Sequence, residues 1–334
     1  MEEGNVNILF TLNDAFVPQV AACMGSIMRT LNEDDTCHFY LFSDGISQQN
    51  KEKLHQFVTD GGNKLTIVEL ENLESYFDFE VDTNGWASVV LARLLVDKLL
   101  PEEVDRIIYL DGDTLVLENI RELWEVDLEG KVLGMCPEPT ASSERREGLN
   151  LGTYTYHNAG VLLIDLKRWR SKSIGTIIFD YYKEKNGELF ANDQDALNGA
   201  LKEEIKTLSI TYNYFNIFDV YPYRTLEKLS RPSTFISKEE FVKIRKQPRI
   251  VHFLGEERPW RIGNKHRFRE NYVSALNQTP WKGTQFESGW QLYFFCFNLF
   301  NMVMKPFPML RYKIITVLIP VFMKYRKIRL QKGV

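Results

Sequence analysis

The sequence lacks the cysteine pattern that zinc sites and disulfide frameworks require. Its four cysteines, Cys23, Cys37, Cys136 and Cys296, lie far apart and form no CxxC pair. This scatter argues against a structural zinc site and against a small domain held together by disulfides. It favours a reduced, cytoplasmic setting.

Long apolar runs, repeats and leader-like segments are also missing. No stretch reaches the roughly 18 uninterrupted apolar residues that a membrane-spanning helix needs. Met1–Phe10 carries acidic residues and lacks the basic and apolar regions of a signal peptide. The first apolar run is not followed by the GxGxxG fingerprint of dinucleotide-binding proteins. We therefore expect a protein of the cytoplasm that does not cross a membrane.

Charge is unevenly distributed along the 334 residues. The 44% hydrophobic and 26% charged residues are typical of a soluble globular protein. Residues 281–334 contain nine Lys or Arg and one acid, Glu287, for a net charge of +8. Residues 1–280 contain 32 basic and 44 acidic residues, for a net charge of −12. This asymmetry predicts an acidic domain over 1–280 and a basic tail over 281–334 with a separate task.

The first 70 residues alternate between strand and helix patterns. Strands are expected at Val6–Thr11, His38–Phe42 and Leu65–Leu70, and helices at Phe16–Thr30 and Ser47–Asp60. Such alternation predicts an α/β fold with a mostly parallel sheet and helices on both faces. Open sheets of this kind bind their ligands beyond the carboxyl ends of the strands.

An acidic tripeptide, Asp111-Gly112-Asp113, separates two apolar runs at 107–110 and 114–117. This pattern predicts a strand, a sharp acidic stop and a second strand. Alternate residues of an extended segment point to the same side, so Asp111 and Asp113 can share one cation. Gly112 leaves room for a ligand close to the backbone. An acidic turn without a ligand is the alternative interpretation.

Four further segments contain polar residues for which the sequence suggests a structural or a functional role. Arg93 interrupts the apolar face of a helix expected over Trp86–Leu100, so it either reaches solvent or meets an anion. Ala141–Thr155 is polar and is predicted to be a loop that acts as a lid or binds the acceptor. Asn192 is expected to cap a helix. His252 ends a short strand that precedes a glycine turn.

Six separated motifs run through residues 5–275 in a fixed order. They are FTLNDAF, ARLL, YLDGDTLV, HNAGVLLIDL, NDQDALN and VHFLGEERPW. Together they resemble glycosyltransferase family 8, which contains bacterial lipopolysaccharide galactosyl- and glucosyltransferases and, more distantly, glycogenin. The resemblance implies a Rossmann-like GT-A domain. It also implies a retaining, metal-dependent hexosyltransferase that uses UDP-galactose or UDP-glucose.

The resemblance assigns roles to single residues. Asp111, Asp113 and His252 would bind Mn²⁺ or Mg²⁺. The other residues implied in binding the UDP-sugar are Thr11, Asn13, Asp14, Arg93, Gly112, Asn158, Ala159, Gly160, Asp193, Gln194, Gly255 and Arg258. Family members commonly have Asp and Asn at the positions of Asn13 and Ala15, and usually Lys at the position of Arg258. These departures remove or reroute one or two hydrogen bonds to the nucleoside but keep the charge near the phosphates.

A retaining transfer needs either a covalent intermediate or attack from the face that the nucleotide leaves. The resemblance places Gln194 beneath the sugar, and an amide is a poor nucleophile, so front-face substitution is favoured. In this scheme the metal and Arg258 bind the leaving phosphate, and Gln194 stabilises positive charge on the sugar. Asp193 contacts the sugar hydroxyls. Asp195 stays open as an alternative nucleophile.

Two other functions fit parts of the sequence. A sugar-1-phosphate nucleotidyltransferase also handles nucleotide sugars and a divalent cation, but FTLNDAF contains neither the glycine nor the basic residue expected after its first strand. A non-catalytic peripheral membrane module would not need Asp111, Asp113 and His252. Galactose and glucose both stay open as the sugar, as do a glycan, a glycolipid and a glycoprotein as the acceptor.

The tail contains two apolar segments and a basic end. Trp290–Phe300 is crowded with aromatic residues, Ile314–Met323 is apolar with Pro320 inside it, and Lys324–Arg329 contains four bases. These segments predict a monotopic anchor on an anionic membrane surface. A helix pair packed on the domain is the alternative. We expect a cytoplasmic enzyme at the inner face of the cell membrane, beside a lipid-linked acceptor and without a nucleic-acid partner.

Overall fold

The computed structural model describes residues 4–70, 73–76 and 88–331. Its strands are β1 (Asn5–Asn13), β2 (Thr36–Asp44), β3 (Lys64–Glu69), β4 (Arg106–Leu110), β5 (Thr114–Val116), β6 (Leu133–Pro137), β7 (His157–Asp165), β8 (Ile205–Thr207), β9 (Tyr214–Phe215) and β10 (Ile250–His252). Its α-helices are α1 (Val17–Thr30), α2 (Gln48–Asp60), α3 (Val96–Leu99), α4 (Arg121–Trp124), α5 (Ser143–Gly148), α6 (Leu166–Ser171), α7 (Ile174–Glu184), α8 (Asn192–Leu201), α9 (Ile217–Val220), α10 (Tyr223–Ser230), α11 (Lys238–Lys246), α12 (Arg269–Asn277), α13 (Gln291–Met304) and α14 (Pro308–Gln331).

The main sheet contains seven of the described strands, in the order β3-β2-β1-β4-β7-β6-β8. Its neighbouring strands pair in parallel, except that β7 runs antiparallel to both β4 and β6. The prediction of an α/β fold with a mostly parallel sheet is therefore confirmed. Because β7 runs in the opposite direction, its first residues lie beside the carboxyl end of β4, where the acidic tripeptide begins.

Apolar side chains bury both faces of this sheet. Ile8 and Phe10 of β1 pack into the cluster that contains the apolar face of α1. Leu9, between them, points to the opposite face and packs with Tyr109 and Trp169. Burial on both faces explains why the strands appear in the sequence as continuous apolar runs. It also makes the strand ends the natural place for a polar ligand.

A second, smaller sheet has the order β5-β10-β9. Strand β5 follows Asp113 directly and pairs antiparallel with β10, so that His252 lies opposite Thr114. Strand β10 pairs in parallel with β9, where His252 lies opposite Phe215. The backbone N–H of Phe253 donates a hydrogen bond of 2.9 Å to the carbonyl of Asp113. This register brings the histidine to the acidic tripeptide.

The segment around Arg93 is not the continuous α-helix that the apolar spacing predicts. Ser88–Leu95 forms a 3₁₀-helix and only α3 is α-helical. The first two residues of the predicted helix, Trp86 and Ala87, lie outside the described residues. The Nε of Arg93 donates to the carbonyl of Val90, three residues earlier, at 3.0 Å. This contact fits the tighter winding, and it forms because the guanidinium is held in the interior.

A loop prediction and a cap prediction are also wrong. Ala141–Thr155 contains the short helix α5, which Ser142 caps by accepting a hydrogen bond from the backbone N–H of Arg145 at 3.2 Å. Helix α8 has its N-cap at the residue before Asn192, and Asn192 itself adopts a left-handed φ of 43°. Asp195 reaches back instead and accepts a hydrogen bond of 2.9 Å from the backbone N–H of that N-cap residue.

Helices α13 and α14 pack on the domain by one side. Phe294 is 3% exposed, and Arg311 is 8% exposed and donates to the hydroxyl of Tyr221 at 2.8 Å. The guanidinium of Arg261 lies 3.6 Å from the centre of the Trp290 ring. Helix α14 continues through its internal proline. No helix of the described residues combines the length and the apolar character needed to cross a membrane.

Gly160 of β7 lies directly against the imidazole of His252 from the small sheet. A β-carbon at this position would lie 2.2 Å from Cε1 of His252 and 3.0 Å from Oδ1 of Asn158. Such short separations do not occur between real side chains, so glycine is required for the imidazole to lie against β7.

We expect Gly160→Ala to lower the free energy of unfolding by about 1–3 kcal/mol, the usual cost of adding a methyl group to a filled interior. The imidazole of His252 must move to admit the methyl group. Gly148→Ala is the matched control, because a β-carbon there meets no atom within 4 Å. Urea unfolding measures the free energy of unfolding of both variants. Equal values for Gly160→Ala and Gly148→Ala would show that the imidazole of His252 can move without cost to admit the methyl group.

Candidate active site

Asp111, Asp113 and His252 converge at the junction of the two sheets. One ligand atom from each residue lies within 4.8 Å of the others. Nε2 of His252 is 3.2 Å from Oδ1 of Asp113 and 3.8 Å from Oδ2 of Asp111. The imidazole is buried at 1% exposure, whereas the side chains of Asp111 and Asp113 are 25% and 12% exposed. Two carboxylates and one imidazole in this arrangement can hold a small divalent cation.

These groups influence one another electrostatically. Burial opposes the negative charge of Asp113, but His252 and Arg258 outweigh burial and hold the pKa of Asp113 below its usual value. Burial likewise opposes the positive charge of His252, but the carboxylates of Asp113 and Asp111 outweigh it and raise the pKa of His252. The carboxylates and the imidazole therefore stabilise one another's charged forms.

Arg93 is buried between carboxylates and does not reach solvent. It is 5% exposed, and its guanidinium lies 2.9 Å from Oδ1 of Asp111 and 3.2 Å from Oδ2 of Asp193. It also donates to the carbonyl of Ala159 at 2.9 Å and lies over the ring of Tyr109 at 4.2 Å. Burial opposes the charge of Arg93, but Asp111 and Asp193 raise its pKa. Burial raises the pKa of Asp193 to about 6, although Arg93 acts in the opposite direction.

The amide of Gln194 has a fixed orientation. Its Nε2 donates to Oε2 of Glu138 at 3.0 Å and to the hydroxyl of Tyr156 at 2.8 Å. Its Oε1 accepts a hydrogen bond of 3.0 Å from the backbone N–H of Ala159. A carboxylate only accepts and a backbone N–H only donates, so a flipped amide would lose both contacts. The carbonyl oxygen of Gln194 is therefore held beside the first residues of β7.

Asp195 is a buried anchor next to this amide. Its side chain is 2% exposed, and Oδ1 accepts hydrogen bonds of 2.8 Å from Nε of Arg145 and from the hydroxyl of Tyr156. Its Oδ2 accepts a third hydrogen bond from the backbone at the start of α8. The guanidinium of Arg145 also lies 4.6 Å from the centre of the Tyr156 ring. Three donors thus hold the carboxylate that the sequence left open as a nucleophile.

The residues at the end of β1 are engaged in different ways. Asp14 accepts hydrogen bonds of 2.8 Å from the backbone N–H of Ser47 and from Nδ2 of Asn50, and these bonds lower its pKa. Asp14 therefore stabilises the start of α2. Oδ1 of Asn13, in contrast, is buried and has no hydrogen-bond partner in the described part of the chain. A buried amide oxygen of this kind suits a donor group on a ligand.

Thr11, Arg258 and two glycines complete the set that the resemblance implies. The Thr11 hydroxyl lies 3.1 Å from that of Tyr109, which donates to Oδ1 of Asp111 at 2.7 Å. Nη2 of Arg258 is 3.7 Å from Oδ2 of Asp113. Side chains of α1 and of the turn before it fill the space that a β-carbon on Gly112 would need. Gly255 forms the turn after β10 with a left-handed φ of 77°.

Five side chains of the site were not anticipated from the sequence. They are Tyr109, Glu138, Arg145, Tyr156 and Asn213. Tyr109 stands two residues before an acid on the same strand face, and Glu138 directly follows the end of β6, so both positions carried a usable signal. Asn213 is one of two amides in the aromatic run TYNYFN, and nothing in the run singles it out. Arg145 and Tyr156 depend on the fold to reach Asp195, so their roles had no local signal.

Comparisons with known proteins point to one family. The family model "Glycosyl transferase family 8" matches residues 7–262, more than half of the chain. General stress protein A of Bacillus subtilis is 27% identical over 83% of this chain and 94% of its own length. A lipopolysaccharide 1,2-glucosyltransferase of Escherichia coli is 22% identical over 83% of this chain and 79% of its own length.

A solved structure shares the architecture. The galactosyltransferase LgtC, crystallised with donor and acceptor sugar analogues, superimposes with a TM-score of 0.68 at 21% identity, over 86% of this chain and 99% of that one. The likeness to LgtC confirms the GT-A fold, and the match to the family model establishes the enzyme class. The chain is a glycosyltransferase and belongs to glycosyltransferase family 8.

Proposed function

We propose that this enzyme transfers a hexose, galactose or glucose, from a UDP-sugar to a glycan, glycolipid or glycoprotein acceptor. The reaction retains the anomeric configuration and uses a bound divalent cation. The observation that carries the proposal is the convergence of Asp111, Asp113 and His252 at the strand ends, close to Arg93 and the oriented amide of Gln194. The named activity of the glucosyltransferase relative supports a hexose as the transferred group.

The carboxylate–imidazole cluster fits Mn²⁺ or Mg²⁺ better than a metal that prefers thiolates. Oδ1 of Asp111 is already occupied by Arg93 and Tyr109, whereas Oδ2 faces His252. Asp111 and Asp113 would therefore each hold the ion through one carboxylate oxygen, and His252 would hold it through one nitrogen. When bound, such an ion neutralises negative charge on a leaving diphosphate.

The side chains around the cluster divide the remaining work. Arg258 lies beside Asp113 and binds the leaving phosphate with its fork of N–H donors. Asn13 offers its unpartnered oxygen to a donor group of the uracil base. Gln194 directs its carbonyl oxygen at positive charge developing on the sugar. Asp195 is held by three donors, which favours front-face substitution over a covalent intermediate on this carboxylate.

We expect Asp113→Asn to lower turnover of UDP-glucose or UDP-galactose by about 10²- to 10³-fold, the usual cost of removing an electrostatic contribution to the transition state. Chelation of divalent cations by EDTA should have a similar effect. Chromatography detects UDP and pyrophosphate in the reaction mixture. Release of UDP without pyrophosphate measures sugar transfer and distinguishes it from nucleotidyl transfer. Circular dichroism checks that the variant is folded.

The exposed Asp180→Asn is the matched control, because it removes an acid of α7 away from the cluster. It should turn over the donor at the wild-type rate. Full transfer by the EDTA-treated enzyme would rule out the proposed metal dependence.

We expect Gln194→Ala to retain activity that is reduced by about 10²-fold, because it removes a stabilising oxygen and not a nucleophile. The surface variant Gln247→Ala should be fully active. Proton NMR of the first product formed from an α-linked donor should show the α-anomer. A glycosyl adduct on Asp195 or Gln194 of the wild-type enzyme, detected by mass spectrometry, would overturn front-face substitution.

We also propose that α13 and α14 bind the surface of an anionic membrane. Leu292, Phe295 and Met302 are 73%, 68% and 65% exposed and recur at helical spacing on one side of α13. On α14, Val317 and Val321 are 69% and 62% exposed. The tail, residues 281–334, is basic, and its single acid, Glu287, precedes α13. Apolar side chains at the headgroup boundary with bases beside them suit a bilayer of negative charge.

Membrane binding would hold the enzyme at the inner face of the cell membrane, near a lipid-linked acceptor. The packing of Phe294 and Arg311 on the domain makes deletion of the tail a poor test, because it removes interior contacts. Substitutions on the exposed side of α13 avoid this problem.

We expect the full-length protein to sediment with phosphatidylglycerol-containing liposomes at low salt. Leu292→Gln, Phe295→Ser and Met302→Gln together should weaken partitioning at least about 10-fold, since full burial of even one such side chain contributes roughly 1.5–3 kcal/mol. The matched control replaces the exposed Ile177 and Val242 of the domain by Gln and should bind as the wild type does. Failure of the wild-type protein to sediment would contradict the membrane proposal.

A further inference from the structure

Asn213 is a fully buried amide between two residues of the site. It is 0% exposed and directly precedes β9, which pairs with β10. Its Oδ1 lies 3.0 Å from Nδ1 of His252, and its Nδ2 donates to Oδ1 of Asn158 at 2.8 Å. It therefore contacts the imidazole through the nitrogen that does not face Asp111 and Asp113.

The orientation of both amides follows from one backbone group. The N–H of Gly160 donates to Oδ1 of Asn158 at 2.9 Å, and a backbone N–H can only donate. Nδ2 of Asn158 donates to Oε2 of Glu138 at 2.9 Å. Oδ1 of Asn158 is therefore an acceptor. Asn213 must present its Nδ2 to this acceptor and, in consequence, its Oδ1 to His252.

An acceptor beside Nδ1 places the proton of the neutral imidazole on that nitrogen. Nδ1 of His252 then donates to Asn213, and this hydrogen bond opposes the pull of Asp113 on a proton at Nε2. Without Asn213 the opposing acceptor at Nδ1 is lost, and Oδ1 of Asp113, 3.2 Å from Nε2, draws the proton to that nitrogen. A protonated Nε2 cannot bind a metal ion.

We propose that Asn213 is a positioning residue that holds His252 in the Nδ1–H tautomer and so makes Nε2 available to a divalent cation. This inference rests on the metal site of the proposed function and adds a residue that touches neither metal nor substrate. Residues that orient a metal-binding histidine in this way typically contribute 10- to 100-fold to metal affinity.

The test compares variants of the full-length protein by two measurements. Long-range ¹H–¹⁵N NMR of metal-free, histidine-labelled protein, at a pH well above the titration of His252, reports its tautomer, and His252→Gln assigns its signals. Titration with MnCl₂ followed by electron paramagnetic resonance gives the affinity. The variants at Asn213 are Asn213→Leu and Asn213→Ala, which remove the amide, and Asn213→Asp, which keeps an acceptor.

Asn198→Leu is the matched control. Asn198 is also fully buried and lies 3.3 Å from Nδ1 of another histidine, His157, which is not part of the cluster. Its replacement removes a comparable amide, which hydrogen-bonds the backbone of His157 and Gln194 and has no described hydrogen bond to His252, Asn213 or Asn158.

We expect wild-type His252 to be the Nδ1–H tautomer. Asn213→Leu and Asn213→Ala should shift it to Nε2–H and weaken Mn²⁺ binding about 10- to 100-fold. Asn213→Asp keeps the acceptor for His252 but loses the donor to Asn158, so it should restore the Nδ1–H signal and part of the Mn²⁺ affinity. Asn198→Leu should change neither the His252 signals nor the affinity.

A wild-type tautomer and wild-type Mn²⁺ affinity in Asn213→Ala would overturn the proposal, and so would an Nε2–H tautomer in the wild-type protein. Loss of affinity in Asn198→Leu equal to that in Asn213→Ala would also overturn it, because the effect would then be general to the interior. If the wild-type protein binds no Mn²⁺, the proposed function fails at its metal, whereas the NMR comparison still decides the role of Asn213.

Discussion

The site depends on the pairing of two three-residue strands, β5 and β10. The register that sets His252 opposite Thr114 brings an imidazole from late in the chain to a tripeptide in its first half. Side chains alternate along a strand, so a slip of one residue would point the imidazole away from the carboxylates. The same sheet places Asn213 behind the imidazole, through the pairing of β9 with β10. One small sheet therefore supplies both a candidate ligand and the group that orients it.

Charge balance inside the protein links this site to stability. Arg93 lies between Asp111 and Asp193, and Arg145 holds Asp195, all at low exposure. Removing one member of such a set leaves an unpaired charge in the interior, which costs far more than the intact pair contributes. Loss of activity on replacing any of these residues therefore has two sources, and only a parallel measurement of folding separates them.

Much of the fold and of the site could be predicted from the sequence because its signals are local. Apolar runs marked the strands, and the spacing of two acids marked the carboxylate pair. The failed prediction of a continuous helix around Arg93 is one in which distant contacts decide. Arg93 is drawn inward by Asp111 and Asp193, and its segment winds as a 3₁₀-helix. Arg145 and Tyr156 likewise gain their roles only from a neighbour, Asp195, that the folded chain supplies.

The cysteine in the tail differs from the other three cysteines in its exposure to solvent. Cys23, Cys37 and Cys136 are buried, whereas Cys296 is exposed on α13. Burial raises the pKa of the Cys23 thiol to about 12 and raises the pKa of the Cys37 and Cys136 thiols as well. Thiolate chemistry in the folded protein is therefore confined to Cys296, next to the apolar side of the helix. The native chain thus offers a single attachment point for an environment-sensitive fluorophore, which would report whether that helix is surrounded by water or by lipid.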